Sequence, residues 1–118
     1  MASMFSRLFG GTSGSEAGWI SGEDLAPHLT GDGAPLVLDV RGPGEFTGPL
    51  GHIEGARNIP LDQLAGETAA LVAHDGPIVC VCHTDRRSAA AAAHLRAAGA
   101  GDVTVLRGGM VAWRSEGR

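Results

Sequence analysis

At 118 residues, with a formal net charge of −4 and 19 glycines, the chain carries enough sequence for one core and too little for two. The acidic balance argues against a nucleic-acid or membrane-surface role, and an aromatic set of three Phe, two Trp and no Tyr offers no base-stacking platform. No apolar run approaches the about 20 residues of a membrane span, so neither nucleic acid nor membrane is expected as a partner.

Residues 1–17 read as a flexible leader, because Gly10–Ser15 is rich in Gly, Ser and Thr. Residues 18–116 read as the folded domain. Trp19-Ile20 looks like a short edge strand. A short helix follows, capped either by Ser21 or by Asp24, and Pro27 is the reason for the ambiguity: a helix starting at Ser21 carries it in the interior. Thr30–Pro35 is a turn. Leu36-Val-Leu-Asp-Val40 is a nearly continuous apolar strand, as a central parallel strand buried on both faces requires. Asp39 interrupts it, and a carboxylate there needs a partner, of which Arg41 is the nearest.

Gly42–Gly51 is a Gly/Pro-rich loop with room for one helical turn at Glu45-Phe46. Ala56–Pro60 holds a short strand at Asn58 and Ile59. Leu61–Ala73 has helical spacing at Leu61, Leu64, Thr68, Leu71 and Val72. The β-branched run Ile78, Val79, Val81 then ends at Cys82, five polar residues follow, and Ser88 is the expected N-cap of an alanine-rich helix running to Ala98 with Gly99 behind it. Val103–Leu106 is a further strand, and Arg107-Gly-Gly109 turns into a last helical piece carrying Met110, Val111 and Trp113.

Strands alternating with helices at this spacing predict an α/β domain with a mostly parallel central sheet flanked by helices. Ligands of such sheets bind beyond the carboxyl ends of the strands, where Cys82 lies. A thiol between a strand end and a helix start faces loop N–H groups and the positive end of the helix, which favours a thiolate. Cys80 and Cys82, two apart on a strand, face the same side with Cα atoms about 6.6 Å apart, a poor geometry for a disulfide. Cys80, within the buried strand, is expected in the core. No CxxC or Cys/His metal spacing exists, and free thiols suit a reducing, cytoplasmic compartment.

Five segments in order and spacing give the chain a resemblance to the rhodanese-like sulfurtransferase family. They are Asp39-Val-Arg41, Glu45-Phe46, Gly51-His-Ile-Glu-Gly-Ala-Arg-Asn-Ile-Pro60, Cys82-His-Thr-Asp-Arg-Arg-Ser88, and Leu106-Arg-Gly-Gly109 with Trp113. The resemblance implies the three-layer rhodanese-like fold and a persulfide mechanism in which Cys82 is the catalytic nucleophile. It implies a small sulfur donor, thiosulfate or a persulfide, and as acceptor a thiol, cyanide or a protein. It implies no metal and no cofactor. The donor-binding loop is then His83, Thr84, Asp85, Arg86, Arg87 and Ser88. Within it Arg87 either holds the donor anion or braces the loop on a carboxylate or carbonyl, and Arg86 reads as a rim charge. His52, Asp39 and Arg41 read as structural, with Arg41 paired to Asp39 or Glu45.

Related dual-specificity phosphatases carry five residues between Cys and Arg; here four separate Cys82 from Arg87, a loop better suited to a sulfur atom than to phosphate. The family's loops often carry Gly where this chain has Asp85. Asp tolerates left-handed backbone better than most residues, so the loop can close. Its negative charge weakens attraction to dianionic thiosulfate unless Arg86 or Arg87 offsets it. The alternative to an enzyme is a non-catalytic module that relays sulfur or binds a partner.

Overall fold

The short apolar runs of the chain assemble into one parallel sheet in this computed structural model, which describes residues 18–118. The leader expected over 1–17 lies outside the described residues. The strands are β1 (Trp19–Ile20), β2 (Leu36–Asp39), β3 (Arg57–Asn58), β4 (Ile78–Val81) and β5 (Val103–Leu106), in the spatial order β1-β5-β4-β2-β3. β4 lies at the centre, with Val79 opposite Val37 of β2 and Thr104 of β5. Its four residues are buried on both faces, which explains why they form an unbroken apolar run rather than an alternating one.

Two apolar layers cover the sheet. On one face Leu38, Ile78, Cys80, Val103 and Val105 meet Ala91, Ala92 and Leu95 of helix α4 (Arg86–Ala97), together with Leu64 and Leu71. The alanines let α4 lie close to the sheet. On the other face Val37, Val79, Val81 and Leu106 meet Leu25 of α1 (Gly22–Leu25) and Met110 and Trp113 of α5 (Gly109–Ser115). The result is the expected α/β fold of three layers, and among the described residues no helix is long and apolar enough to cross a membrane.

Local chemistry settles several boundaries. Ser21 is the cap of α1, its hydroxyl accepting from the Asp24 N–H at 3.0 Å. The α-helix stops at Leu25, and Pro27 sits in a separate 3₁₀ turn (Ala26–His28), where its missing N–H removes no α-helical bond. The segment expected to be one helix over Leu61–Ala73 is a 3₁₀ stretch (Leu61–Glu67) followed by α3 (Thr68–Val72). Gly66 lowers the helix propensity of that first half, and the exposed Asp62, Gln63 and Ala65 give it little buried surface beside Leu64. The third strand falls on Arg57–Asn58, one residue earlier than expected.

The expectation for the start of α4 is corrected. The helix begins at Arg86, with Asp85 in the cap position, and Ser88 is its buried third residue rather than its cap. The cause is Cys82, whose sulfur takes the role a capping side chain would play.

Candidate active site

Cys82 follows the last residue of β4 and is buried, 1% exposed. Its Sγ accepts the Ser88 backbone N–H at 3.3 Å and lies 3.3 Å from the Ser88 hydroxyl. The first turn of any helix has backbone donors with no partner inside the helix, and Ser88 N–H is one of them. Here sulfur satisfies it from six residues earlier in the chain. A thiolate at this position accepts from both the N–H and the hydroxyl of Ser88 and stands at the positive end of a 12-residue helix.

The loop is held from behind. The Met110 N–H donates to the Cys82 carbonyl at 2.9 Å, and the Val111 N–H donates to the His83 carbonyl at 3.0 Å. Both donors belong to the first turn of α5, so the otherwise orphaned N–H groups of one helix fix the loop that leads to another. Gly109 makes this approach feasible. A Cβ on Gly109 would lie 2.0 Å from the Thr84 carbonyl oxygen and 2.4 Å from that of Cys82, and its φ of +57° favours glycine.

The remaining loop residues separate by exposure. His83, Thr84 and Arg86 are exposed at the rim, Asp85 and Arg87 are half-buried, and Ser88 is buried beneath them. The Asp85 carboxylate accepts from the Gly108 N–H at 3.4 Å. Asp85 does not adopt the left-handed conformation weighed for it. Its φ is −150°, and among the described residues no residue other than glycine has positive φ.

Arg87 braces rather than points outward. Nη1 donates to Glu45 Oε1 at 2.7 Å and Nη2 to Oε2 at 2.9 Å. Glu45 belongs to α2 (Pro43–Phe46), and its Oε1 also accepts from the Gly42 N–H at 3.2 Å. The Arg87 hydrogen bonds hold the Glu45 carboxyl at a pKa of about 2, well below the usual carboxylate range. This pairing is absent from the sequence-based reading, which connects Glu45 only to Arg41.

Beneath the site, Arg41 and Asp39 form a buried ion pair. Arg41 Nη2 donates to Asp39 Oδ2 at 2.7 Å and Nε to Oδ1 at 2.9 Å. The other donors reach the Glu45 carbonyl at 3.0 Å and the Gly51 carbonyl at 2.7 Å. Arg41 is thus the structural residue expected, and so is His52, whose Nδ1 lies 2.8 Å from the Phe46 carbonyl and whose ring stacks on Phe46. Cys80 is buried in the same apolar cluster as Cys82, both thiols are free, and desolvation pushes the Cys80 thiol up to about 12. Among the described residues no group of three or more His, Cys, Asp or Glu side chains is arranged to hold a metal ion.

Comparison with known proteins agrees with this geometry. The model of the rhodanese-like domain matches residues 22–116. The uncharacterized protein YqhL of Bacillus subtilis (strain 168) is 43% identical over 77 residues, which cover 65% of this chain and 59% of YqhL. The thiosulfate sulfurtransferase GlpE of Pseudomonas aeruginosa (strain LESB58) is 40% identical over 92 residues, 78% of this chain and 80% of GlpE. The crystal structure of a rhodanese-related protein from Thermoplasma volcanium superposes with a TM-score of 0.73 at 33% identity, covering 83% of this chain and 91% of that one. The match thus spans less than two thirds of YqhL but most of GlpE.

Proposed function

The chain belongs to the rhodanese-like domain family, and from that membership we propose that it is a sulfurtransferase that moves a sulfane sulfur through a persulfide on Cys82. The donor is thiosulfate or a persulfide, and the acceptor is a thiol, cyanide or a protein thiol in a reducing compartment. The observation that carries the proposal is the placing of the Ser88 N–H and hydroxyl, each 3.3 Å from the Cys82 sulfur.

The Cys82 thiolate attacks the outer sulfur of the donor. A new S–S bond forms to Cys82 as the donor's own S–S bond breaks, and the leaving group, sulfite from thiosulfate or a thiolate from a persulfide, departs with the electron pair. The terminal sulfur of the enzyme persulfide then carries the negative charge and lies inside the 82–88 loop, where backbone dipoles support it. In the second step the acceptor attacks that terminal sulfur, and Cys82 leaves as the thiolate that Ser88 stabilises.

The other loop residues have graded roles in this reading. Ser88 stabilises the sulfur. Arg87 positions the loop through Glu45. His83, Thr84 and Arg86 form the rim that a donor crosses, and Asp85 fastens that rim to Gly108.

Intact-mass spectrometry after incubation with thiosulfate, and separately with a low-molecular-weight persulfide, tests the proposal. A gain of roughly 32 Da that is absent from Cys82→Ala is the expected result. A chain that gains no sulfur from either donor is a binding module instead. One that loads but turns over poorly with cyanide is a relay that needs a protein acceptor.

A further inference from the structure

Arg87 occupies the second position of α4, next to the Ser88 N–H that reaches the catalytic sulfur. That placement suits a cation meant to meet an anionic donor. Its guanidinium, however, is already engaged on both prongs, by the two oxygens of Glu45 at 2.7 and 2.9 Å. A planar fork on a carboxylate is the strongest geometry available to Arg, and the two N–H groups donating to Glu45 are not open to a second anion. Glu45 is itself anchored, since Oε1 also accepts from Gly42 N–H.

Among the described residues, the other two arginines of this region are placed differently. Arg41 lies buried with its donors on Asp39 and on the carbonyls of Glu45 and Gly51. Arg86 is exposed at the rim. Asp85 adds a second carboxylate to the same rim. A site that loads anions is therefore bordered by two carboxylates beside the charge of Arg86, and one of the carboxylates, Glu45, holds the Arg87 guanidinium.

The consequence depends on the donor's charge. Thiosulfate is a dianion, and drawing on Arg87 means displacing Glu45. A persulfide carries at most one negative charge on its sulfur pair and needs that cation less. We propose that Glu45 is a specificity-determining positioning residue, which withholds Arg87 from thiosulfate and directs Cys82 toward persulfide donors of lower charge. The proposal rests on the sulfurtransferase reading above.

Both loading reactions balance. The Cys82 thiolate and a neutral persulfide give Cys82–SSH and the donor's thiolate. The Cys82 thiolate and thiosulfate give the Cys82–SS⁻ anion and sulfite. Only the second brings three negative charges into the loop at once.

The test is the donor-preference ratio, kcat/KM with thiosulfate divided by kcat/KM with the persulfide of 2-mercaptoethanol, at fixed cyanide. Glu45→Gln is expected to raise this ratio about fivefold through a lower KM for thiosulfate, the scale of a partly exposed ion pair. Adding Arg87→Ala is expected to abolish the gain. Glu45→Asp keeps the charge but shortens the reach to Arg87. It is expected to move the ratio in the same direction, and it is the variant to read should Glu45→Gln melt below the assay temperature.

A purely structural Glu45 would change both donors together and leave the ratio where it was, which overturns the proposal. So would a gain that survives loss of Arg87. If the unaltered chain loads from neither donor, the sulfurtransferase reading fails and this one with it; if it loads and the ratio stays fixed, this one fails alone.

Discussion

The Met110 N–H donates to the Cys82 carbonyl at 2.9 Å, so the residue proposed as nucleophile is fixed through its main chain by one helix and through its sulfur by another. The two helices pack on opposite faces of the sheet. Cys82 therefore joins both layers of the fold at the carboxyl end of β4, and a shift of either helix reaches the sulfur.

Gly109→Ala tests that arrangement. The added Cβ would overlap the carbonyl oxygens of Thr84, Cys82 and His83, at 2.0, 2.4 and 2.7 Å, and all three are backbone atoms that cannot swing aside. The positive φ of Gly109 adds backbone strain. The variant is expected to lose at least about 2 kcal/mol in urea unfolding and most of its sulfur loading. A Gly109→Ala chain with unaltered stability and loading would show that the α5 contact does not hold the loop.

Ser88→Ala separates the hydroxyl from the backbone donor. The N–H on the sulfur stays, while the hydroxyl 3.3 Å from Sγ is lost. A hydrogen bond to a charged group contributes about 1.5–3 kcal/mol, so single-turnover loading is expected to slow by about tenfold or more. The native melting curve should change little, since Ala suits a helix interior better than Ser. Loading at the unaltered rate would mean the hydroxyl takes no part.

Much of this site is legible in the sequence because its signals are local. A β-branched run ending at Cys82 and an alanine-rich run after it define strand, loop and helix by propensity and burial alone. Asp39 declares its need of a partner by standing in an apolar strand, and Arg41 is two residues away. The pairing of Arg87 with Glu45 crosses 42 residues and involves two half-exposed side chains, for which neither periodicity nor propensity gives a signal. Met110 and Val111 act through backbone N–H groups that every residue has, so their side chains reveal nothing. Only the Gly108-Gly109 pair after a strand hints at a close backbone approach. Ser88 misleads because Ser is a good cap by composition, while the sulfur that does the capping comes from elsewhere in the chain.

Arg41→Ala is expected to cost about 3–5 kcal/mol, because it leaves the Asp39 carboxylate buried without its partner. It also removes the donors to the Glu45 and Gly51 carbonyls. Arg41→Lys restores a charge but not the fork, and recovers less than half of the loss. Urea unfolding of the two variants measures both values. A fully rescued Lys variant would mean that charge alone, not the geometry, holds the turn.

The two cysteines should differ sharply toward an alkylating agent. With its thiol pushed up to about 12 by burial, Cys80 is ionised in about one molecule in ten thousand at pH 8. Peptide mapping after iodoacetamide treatment of the native chain is expected to find the label on Cys82 and not on Cys80. Both should label after denaturation in guanidinium. Equal labelling of the two in the native state would remove the distinction between nucleophile and core thiol.

Acid should loosen the pair that joins α2 to α4. The Glu45 carboxyl lies at about 2 in the folded protein against an ordinary 4.5, because Arg87 hydrogen-bonds it, so folding favours its ionised form. The stabilisation is present in full above pH 4.5 and fades as pH falls toward 2, where the folded-state carboxyl takes up its proton. The Arg87 and Glu45 side chains are 37% and 42% exposed, so solvent screening limits the pair to about 1 kcal/mol or less. Glu45→Gln removes the titrating group. The difference in unfolding free energy between the two proteins should therefore shrink steadily from pH 5 to pH 2, while above pH 5 it stays constant. A difference that is flat through the acid range would show that Arg87 does not hold the Glu45 carboxylate in solution.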